Sequence, residues 1–245
     1  MNSLHQENIL ATGAATPLPT VRTAAVASYV LKALLAVFAG VLLSSAVLQA
    51  QTITILDAPG AGTGNGQGTI AYGINTAGVI TGGYGDSGSV AHGFVRSASG
   101  TFTTFDAPGA GTGQGQGTGG TAINTAGTIT GRYVDSTGVN HGLVRSKTGV
   151  ITEFDVAGSG TGLGEGTFPG CINTAGVIAG YYIDGAKVFH GFVRAANGTI
   201  TEFDAPGAGT GIHQGTFPQA SNTAGSIIGY DLDSGSVFHA FVRTP

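Results

Sequence analysis

Histidine and aspartate recur in this chain at one constant spacing, and they are the first residues to weigh for chemistry. His92, His141, His190 and His239 stand 49 residues apart, as do Asp57, Asp106, Asp155 and Asp204. An imidazole beside a carboxylate is the pairing used in general acid/base catalysis and in metal ligation. A four-histidine metal ring would need the rings to converge on one axis, whereas the strand that carries each histidine reads as lying toward the outside of its unit. A residue demanded four times at one address is more economically a fold element, such as an imidazole bonded to a turn carbonyl or to that Asp. The expectation is therefore no metal, no cofactor and no catalytic residue among the repeated positions. Asp86, Asp135, Asp184 and Asp233 open short turns, where an Asp side chain caps its own backbone. Arg96, Arg145, Arg194 and Arg243 close the histidine strands. There they are placed to pair with acids or to form a basic ring at one rim, and such exposed pairs are worth only about 0–1 kcal/mol each.

Outside the repeated positions, Glu165 and His213 are the acid/base candidates, and they would serve a hydrolase or lyase acting on extracellular polymer. The stretch from Gly115 to Gly120 matches G-x-G-x-x-G, but it occurs in one copy, no helix follows it, and no Lys-Ser or Lys-Thr completes a phosphate loop. Cys171 is the single cysteine, which excludes an intramolecular disulfide and reads as a small buried residue. Beyond residue 50, twelve acids face seven bases, a net charge of about −5 that offers no basic field to a phosphate backbone. Nucleic acid is not an expected partner.

Ligand contacts are expected where the copies differ, because the shared residues are explained by four units of one shape. The copies differ at the loop tips around Gln67, Gln116, Glu165 and His213, and in the strand that follows, at Ile70 to Tyr72, Gly119 to Thr121, Phe168 to Gly170 and Phe217 to Gln219. Tyr72, Glu165, Phe168, His213, Phe217 and Gln219 would form a shallow site of aromatic and polar groups at one mouth of a central channel, suited to an extracellular glycan or peptide. If Phe168 and Phe217 instead plug that channel, the protein is a structural envelope component that binds nothing specific.

The elements that must position these residues follow from the 49-residue unit, which occurs four times without insertion. Each unit holds four short stretches of strand character, seen in the last complete set at 199–204, 215–222, 226–232 and 237–243. Hairpin-sized turns rich in Asn, Asp and Gly join all but one consecutive pair, and a long glycine-rich loop joins that pair. This wiring predicts an all-β fold, a β-propeller of four blades with four antiparallel strands each. Residues 52–57 match the first of the four stretches, so they would complete the last blade and close the ring. An open stack of sheets, or two chains joined in a larger ring, satisfies the same local pattern.

About 195 residues follow residue 50, enough for one domain with a core, and the glycine excess over an ordinary apolar fraction marks tight turns. Residues 1–50 stand apart as a leader. Arg22 and Lys32 precede an apolar run from Ala33 to Leu43, and Ala46 and Ala50 are candidate cleavage sites, the parts of a secretory signal. The polar stretch before Arg22 is long for such a signal, so a start nearer Val21 is one reading; an uncleaved anchor is another, against which the run after Lys32 is short. The expectation is export to the periplasm or the exterior, with no membrane span after cleavage.

With the histidine strand in view, the chain resembles the HAF-repeat family of extracellular bacterial proteins. His239-Ala240-Phe241 matches the tripeptide, while the other copies read His92-Gly93-Phe94, His141-Gly142-Leu143 and His190-Gly191-Phe192. The resemblance covers everything after the leader and implies a secreted repeat protein. It supplies no catalytic residues.

Overall fold

Fifteen strands and no helix make up the computed structural model, which describes residues 51–245; the expected leader and its cleavage sites lie outside the described residues. Repeat 1 contains β1 (Gly68–Ile74), β2 (Ile80–Gly85), β3 (Ala91–Arg96) and β4 (Phe102–Phe105). Repeat 2 contains β5 (Gly117–Ile123), β6 (Ile129–Val134), β7 (Asn140–Arg145) and β8 (Ile151–Phe154). Repeat 3 contains β9 (Gly166–Ile172), β10 (Ile178–Ile183), β11 (Phe189–Arg194) and β12 (Ile200–Phe203), and repeat 4 contains β13 (Gly215–Ser221), β14 (Ile227–Leu232) and β15 (Phe238–Arg243). Within each repeat the strands pair antiparallel in chain order. Adjacent repeats touch through one parallel bridge each, Ala91 to Gly117, Asn140 to Gly166 and Phe189 to Gly215, so all fifteen strands belong to one mixed sheet.

The turns show why these residues stop and start strands. Asp86 Oδ1 accepts from the N–H groups of Gly88 and Val90, closing the β2–β3 turn, and Asp135, Asp184 and Asp233 act likewise. Asn75, Asn124, Asn173 and Asn222 brace the turn before with the same acceptor geometry. Their amides also donate onward: Asn75 Nδ2 reaches the Asn124 carbonyl at 3.2 Å, Asn124 that of Asn173 at 3.1 Å, and Asn173 that of Asn222 at 3.2 Å. Only a side chain that is donor and acceptor at once can serve both the turn and the next repeat. A β-bulge falls at the same address in every first strand, on Tyr72, Thr121, Gly170 and Gln219. It adds local twist and re-aims that side chain.

Apolar burial is divided into separate clusters, two of them at seams between repeats and one within repeat 1. Phe105, Ile129 and Leu143 centre one cluster, Val156, Ile178 and Phe192 a second, and Ala58, Tyr84 and Phe94 a third. The glycine-rich loop of one repeat clasps the turn of the one before it, as when Ala91 N–H donates to the Gln116 carbonyl at 2.8 Å and Gly115 N–H to the Ser89 carbonyl at 2.9 Å. The loop's far end is held by a threonine: the buried Thr118, Thr167 and Thr216 accept from the N–H groups of Ala107, Val156 and Ala205, and the half-buried Thr69 from that of Ala58.

The expected ring closure is absent from the observed pairing. Residues 51–57 carry no strand, and β15 pairs with β14 alone among the described residues. Hairpin turns determine pairing inside a repeat, but closure depends on the angle summed over the seams. Those seams are filled unequally.

Candidate functional site

The histidines sit in a common cradle. The β3–β4 hairpin brings His92 Nδ1 within 3.0 Å of both Asp106 oxygens, and His141 and His190 meet Asp155 and Asp204 in the same way. On the opposite side, Nε2 of His92, His141 and His190 lies 3.6, 3.4 and 3.5 Å from the turn carboxylates of Asp86, Asp135 and Asp184. Tyr84, Tyr133 and Tyr182 stack on the three rings at 5.1, 4.8 and 4.9 Å. Burial pushes the His141 pKa down, but Asp155 and Asp135 outweigh it and the net shift is upward. Burial also pushes the Asp135 carboxyl up, and the N–H groups of Val139 and Thr137, the Thr137 hydroxyl and His141 overcome that and hold it at about 2. In His141 both ring nitrogens are hydrogen-bonded to carboxylates, and in His92 and His190 the Nδ1 bond is backed by a carboxylate at ion-pair distance from Nε2, so these triads act as braces. His239 departs: its Nε2 lies 3.3 Å from Asp233, its Nδ1 meets no acid among the described residues, and Asp231 stands where the stacking tyrosine would be.

Glu165 has a structural post. Gln67 and Gln116 occupy its address in repeats 1 and 2, each accepting from a loop glycine N–H at 2.7 or 2.8 Å and donating to the carbonyl of Ser87 or Ser136. Glu165 accepts from Gly162 N–H at 2.7 Å, and because a carboxylate has no proton to donate, Lys187 Nζ comes to it at 2.9 Å. That ammonium, with the Gly162 N–H, holds the Glu165 carboxyl below its usual range. His213 lies on the next loop with a left-handed φ of 64°, its N–H donating to the Lys187 carbonyl at 2.8 Å and its ring edge-on to Phe189 at 6.3 Å. The two candidates thus border Lys187 from different directions, one through its side chain and one through its backbone.

Three addresses per repeat set what fills each seam: Ile70, Gly119, Phe168 and Phe217 on first strands, Gly83, Arg132, Tyr181 and Tyr230 on second strands, and Ala91, Asn140, Phe189 and Phe238 on third strands. Between repeats 3 and 4 the seam is aromatic. Phe168 stacks on Tyr181 at 5.0 Å, Phe217 stacks on Tyr230 at 4.9 Å, and Phe217 meets Phe189 at 4.6 Å and Tyr181 at 5.7 Å. Between repeats 2 and 3 the Arg132 guanidinium lies 5.2 Å over the Phe168 ring. Between repeats 1 and 2 the corresponding residues are Gly83, Ala91 and Gly119, and a cavity of about 360 Å³ opens there. Tyr72, Thr121, Arg132 and Gln67 are on its wall. A Cβ built on Gly119 meets nothing within 4 Å, and its φ is not left-handed, so no backbone requirement explains the glycine.

The structure therefore separates the six residues expected at one mouth. Phe168, Phe217 and His213 belong to the aromatic seam and its edge, Glu165 braces a loop, Gln219 is an exposed bulge residue of β13, and Tyr72 lines the glycine-opened cavity. Among the described residues, a hollow of about 420 Å³ lined by all four repeats is bounded by the repeated Asn-Thr pairs such as Asn124-Thr125 rather than by the variable residues. Arg132, Gly83 and Gly119 were not singled out by sequence reasoning. Comparison of the copies flagged the address of Gly119, but an absent side chain offers no chemistry to notice.

Fold and seams together define an all-β repeat protein whose seams are filled unequally, with a glycine-opened recess between repeats 1 and 2. No family model matches the chain, and no curated protein matches it.

Proposed function

We propose that the protein is a secreted, non-enzymatic binding module built as a propeller-type array of four blades, with its ligand held in the cavity between repeats 1 and 2. The observation that carries this reading is the contrast between seams: aromatic rings fill one, whereas Gly83, Ala91 and Gly119 keep another open without a backbone reason for Gly119. Tyr72, on a bulge and 60% exposed, offers a ring face on which a sugar can stack. Arg132 forms no salt bridge among the described residues and presents a planar donor fork suited to a carboxylate. A glycan carrying an acidic sugar fits both groups. Export rests on the leader's charged flank, apolar run and small residues, and on the resemblance to extracellular HAF-repeat proteins.

Calorimetric titration with oligouronides and with neutral oligosaccharides of equal length tests the proposal. The acidic series should bind, Tyr72→Ala should weaken it by about 1–2 kcal/mol, and Gly119→Phe, which restores the residue repeats 3 and 4 carry, should abolish it. Phe217→Ala, in the other seam, should lower stability and spare binding. Binding that survives Gly119→Phe would remove the cavity from consideration.

A further inference from the structure

Each of the first three repeats has an outer strand, β4, β8 or β12, on the edge of its third strand, and β15 has none among the described residues. Residues 52–57 read Thr-Ile-Thr-Ile-Leu-Asp, in line with Thr-Phe-Thr-Thr-Phe-Asp at 101–106 and Thr-Ile-Thr-Glu-Phe-Asp at 199–204. We propose that 52–57 of one copy of this chain pairs with β15 of a second copy, adding an outer strand to its edge and joining the two head to tail.

Compensating residues inside the sequence favour this pairing. A Cβ on Gly93, Gly142 or Gly191 would lie 2.5, 2.6 or 2.8 Å from the ring of Phe105, Phe154 or Phe203, so each glycine is required by the phenylalanine of its outer strand. Repeat 4 has Ala240 at the glycine address, and 52–57 has Leu56 at the phenylalanine address. The larger residue on one side is matched by the smaller, more flexible one on the other. The same register sets Ile55 opposite Phe241 and Thr54 opposite Val242, by analogy with Thr104 on Phe94 and Thr103 on Val95. It also brings Asp57 to the Nδ1 of His239, the one repeated histidine without an acid there.

The outer face of repeat 4 is uncovered among the described residues. Ile228, Phe238 and Val242 of repeat 4 are 53, 68 and 69% exposed. The equivalents of Ile228 in the earlier repeats, Thr81, Thr130 and Ala179, are buried, and Val95 and Val144, the equivalents of Val242, pack against the core cluster of the next repeat, so what covers such positions in this molecule is another repeat. Ala58 N–H bonds to Thr69 Oγ1 at 2.8 Å, and Ile55, the residue meant for Phe241, is 86% exposed. An unpaired edge with apolar flanks is a template for another chain's strand, and a contact between different faces is heterologous.

Cross-linking of purified protein, with Cys171→Ser in every chain, decides between partners. One batch carries Thr54→Cys, a second Val242→Cys, and a third both; a short bismaleimide is added to the mixed single variants and to the double variant. The proposal expects a covalent pair from the mixed singles and a sedimentation mass above that of one chain. A dimer mass marks a closed pair and a larger mass an open array, and both contain the contact. A link confined to the double variant at monomer mass means the ring closes on itself and overturns the proposal, as does no link in either. Leu56→Phe should weaken association about tenfold through overpacking against Ala240, and added Ala240→Gly should restore it. Unchanged association in Leu56→Phe would also overturn the pairing.

Discussion

His141 illustrates how a repeated acid/base pair becomes a brace. Its ring is gripped by Asp155 at 3.0 Å and Asp135 at 3.4 Å and stacked under Tyr133. The raised His141 pKa makes a contribution that is complete below its unfolded value of about 6.5 and is lost as pH rises through the higher folded value. Asp135, held at about 2 from an ordinary value near 3.9, contributes above the ordinary value and loses that contribution as pH falls toward 2. The melting-temperature difference between wild type and His141→Gln should therefore shrink above neutral pH and below about pH 4. A difference independent of pH would contradict the charged brace. Glu165→Gln should change stability by less than about 1 kcal/mol, because the amide regains the donor that Gln67 and Gln116 use, whereas Glu165→Ala should cost about 1–2 kcal/mol by orphaning Gly162 N–H. Chemical denaturation of both variants checks this. From sequence, Glu165 stood out as an acid where its counterparts are glutamine; the structure shows that Lys187 is the matching change.

Strands and turns were largely legible. Alternation and turn residues place strands at 215–222, 226–232 and 237–243, within a residue at each end of β13, β14 and β15. The bulges at Tyr72 and Gln219 were not, because a bulge is a mismatch between two strands and neither strand declares it alone. The second role of Asn75, Asn124 and Asn173, donating across a seam, was hidden for the same reason. Third-strand glycines carry the clearest element-scale prediction. Gly142→Ala places a methyl against the Phe154 ring and should cost about 1–3 kcal/mol, with Phe154→Leu recovering part of it. Thermal melts of the single and double variants would show this, and additive losses would contradict it.

Across the whole molecule, the same backbone bridge and Asn bond recur at each seam, while the side chains that fill the seams differ. Aromatic bulk between repeats 3 and 4, a guanidinium on a ring between 2 and 3, and glycines between 1 and 2 give three seams of unlike filling. Sequence pattern specifies hairpins locally, but the angle that decides whether four repeats close, or stay an arc, is the sum over such seams. That is why the repeat was readable and the closure was not. The last repeat carries the consequence, exposing Ile228, Phe238 and Val242. Filling the open seam with Gly119→Phe should leave the melting temperature unchanged or raise it, since a Cβ there meets nothing within 4 Å. A lowered melting temperature would show that the glycine serves the fold instead.

Hydrogen exchange at residues 53–56, followed as protein concentration is raised, tests head-to-tail completion most directly. Exchange that is fast when dilute and becomes protected on concentration, together with the outer amides of β15, is the predicted result. Amides that exchange freely at every concentration, or that stay protected in the dilute monomer, would contradict it.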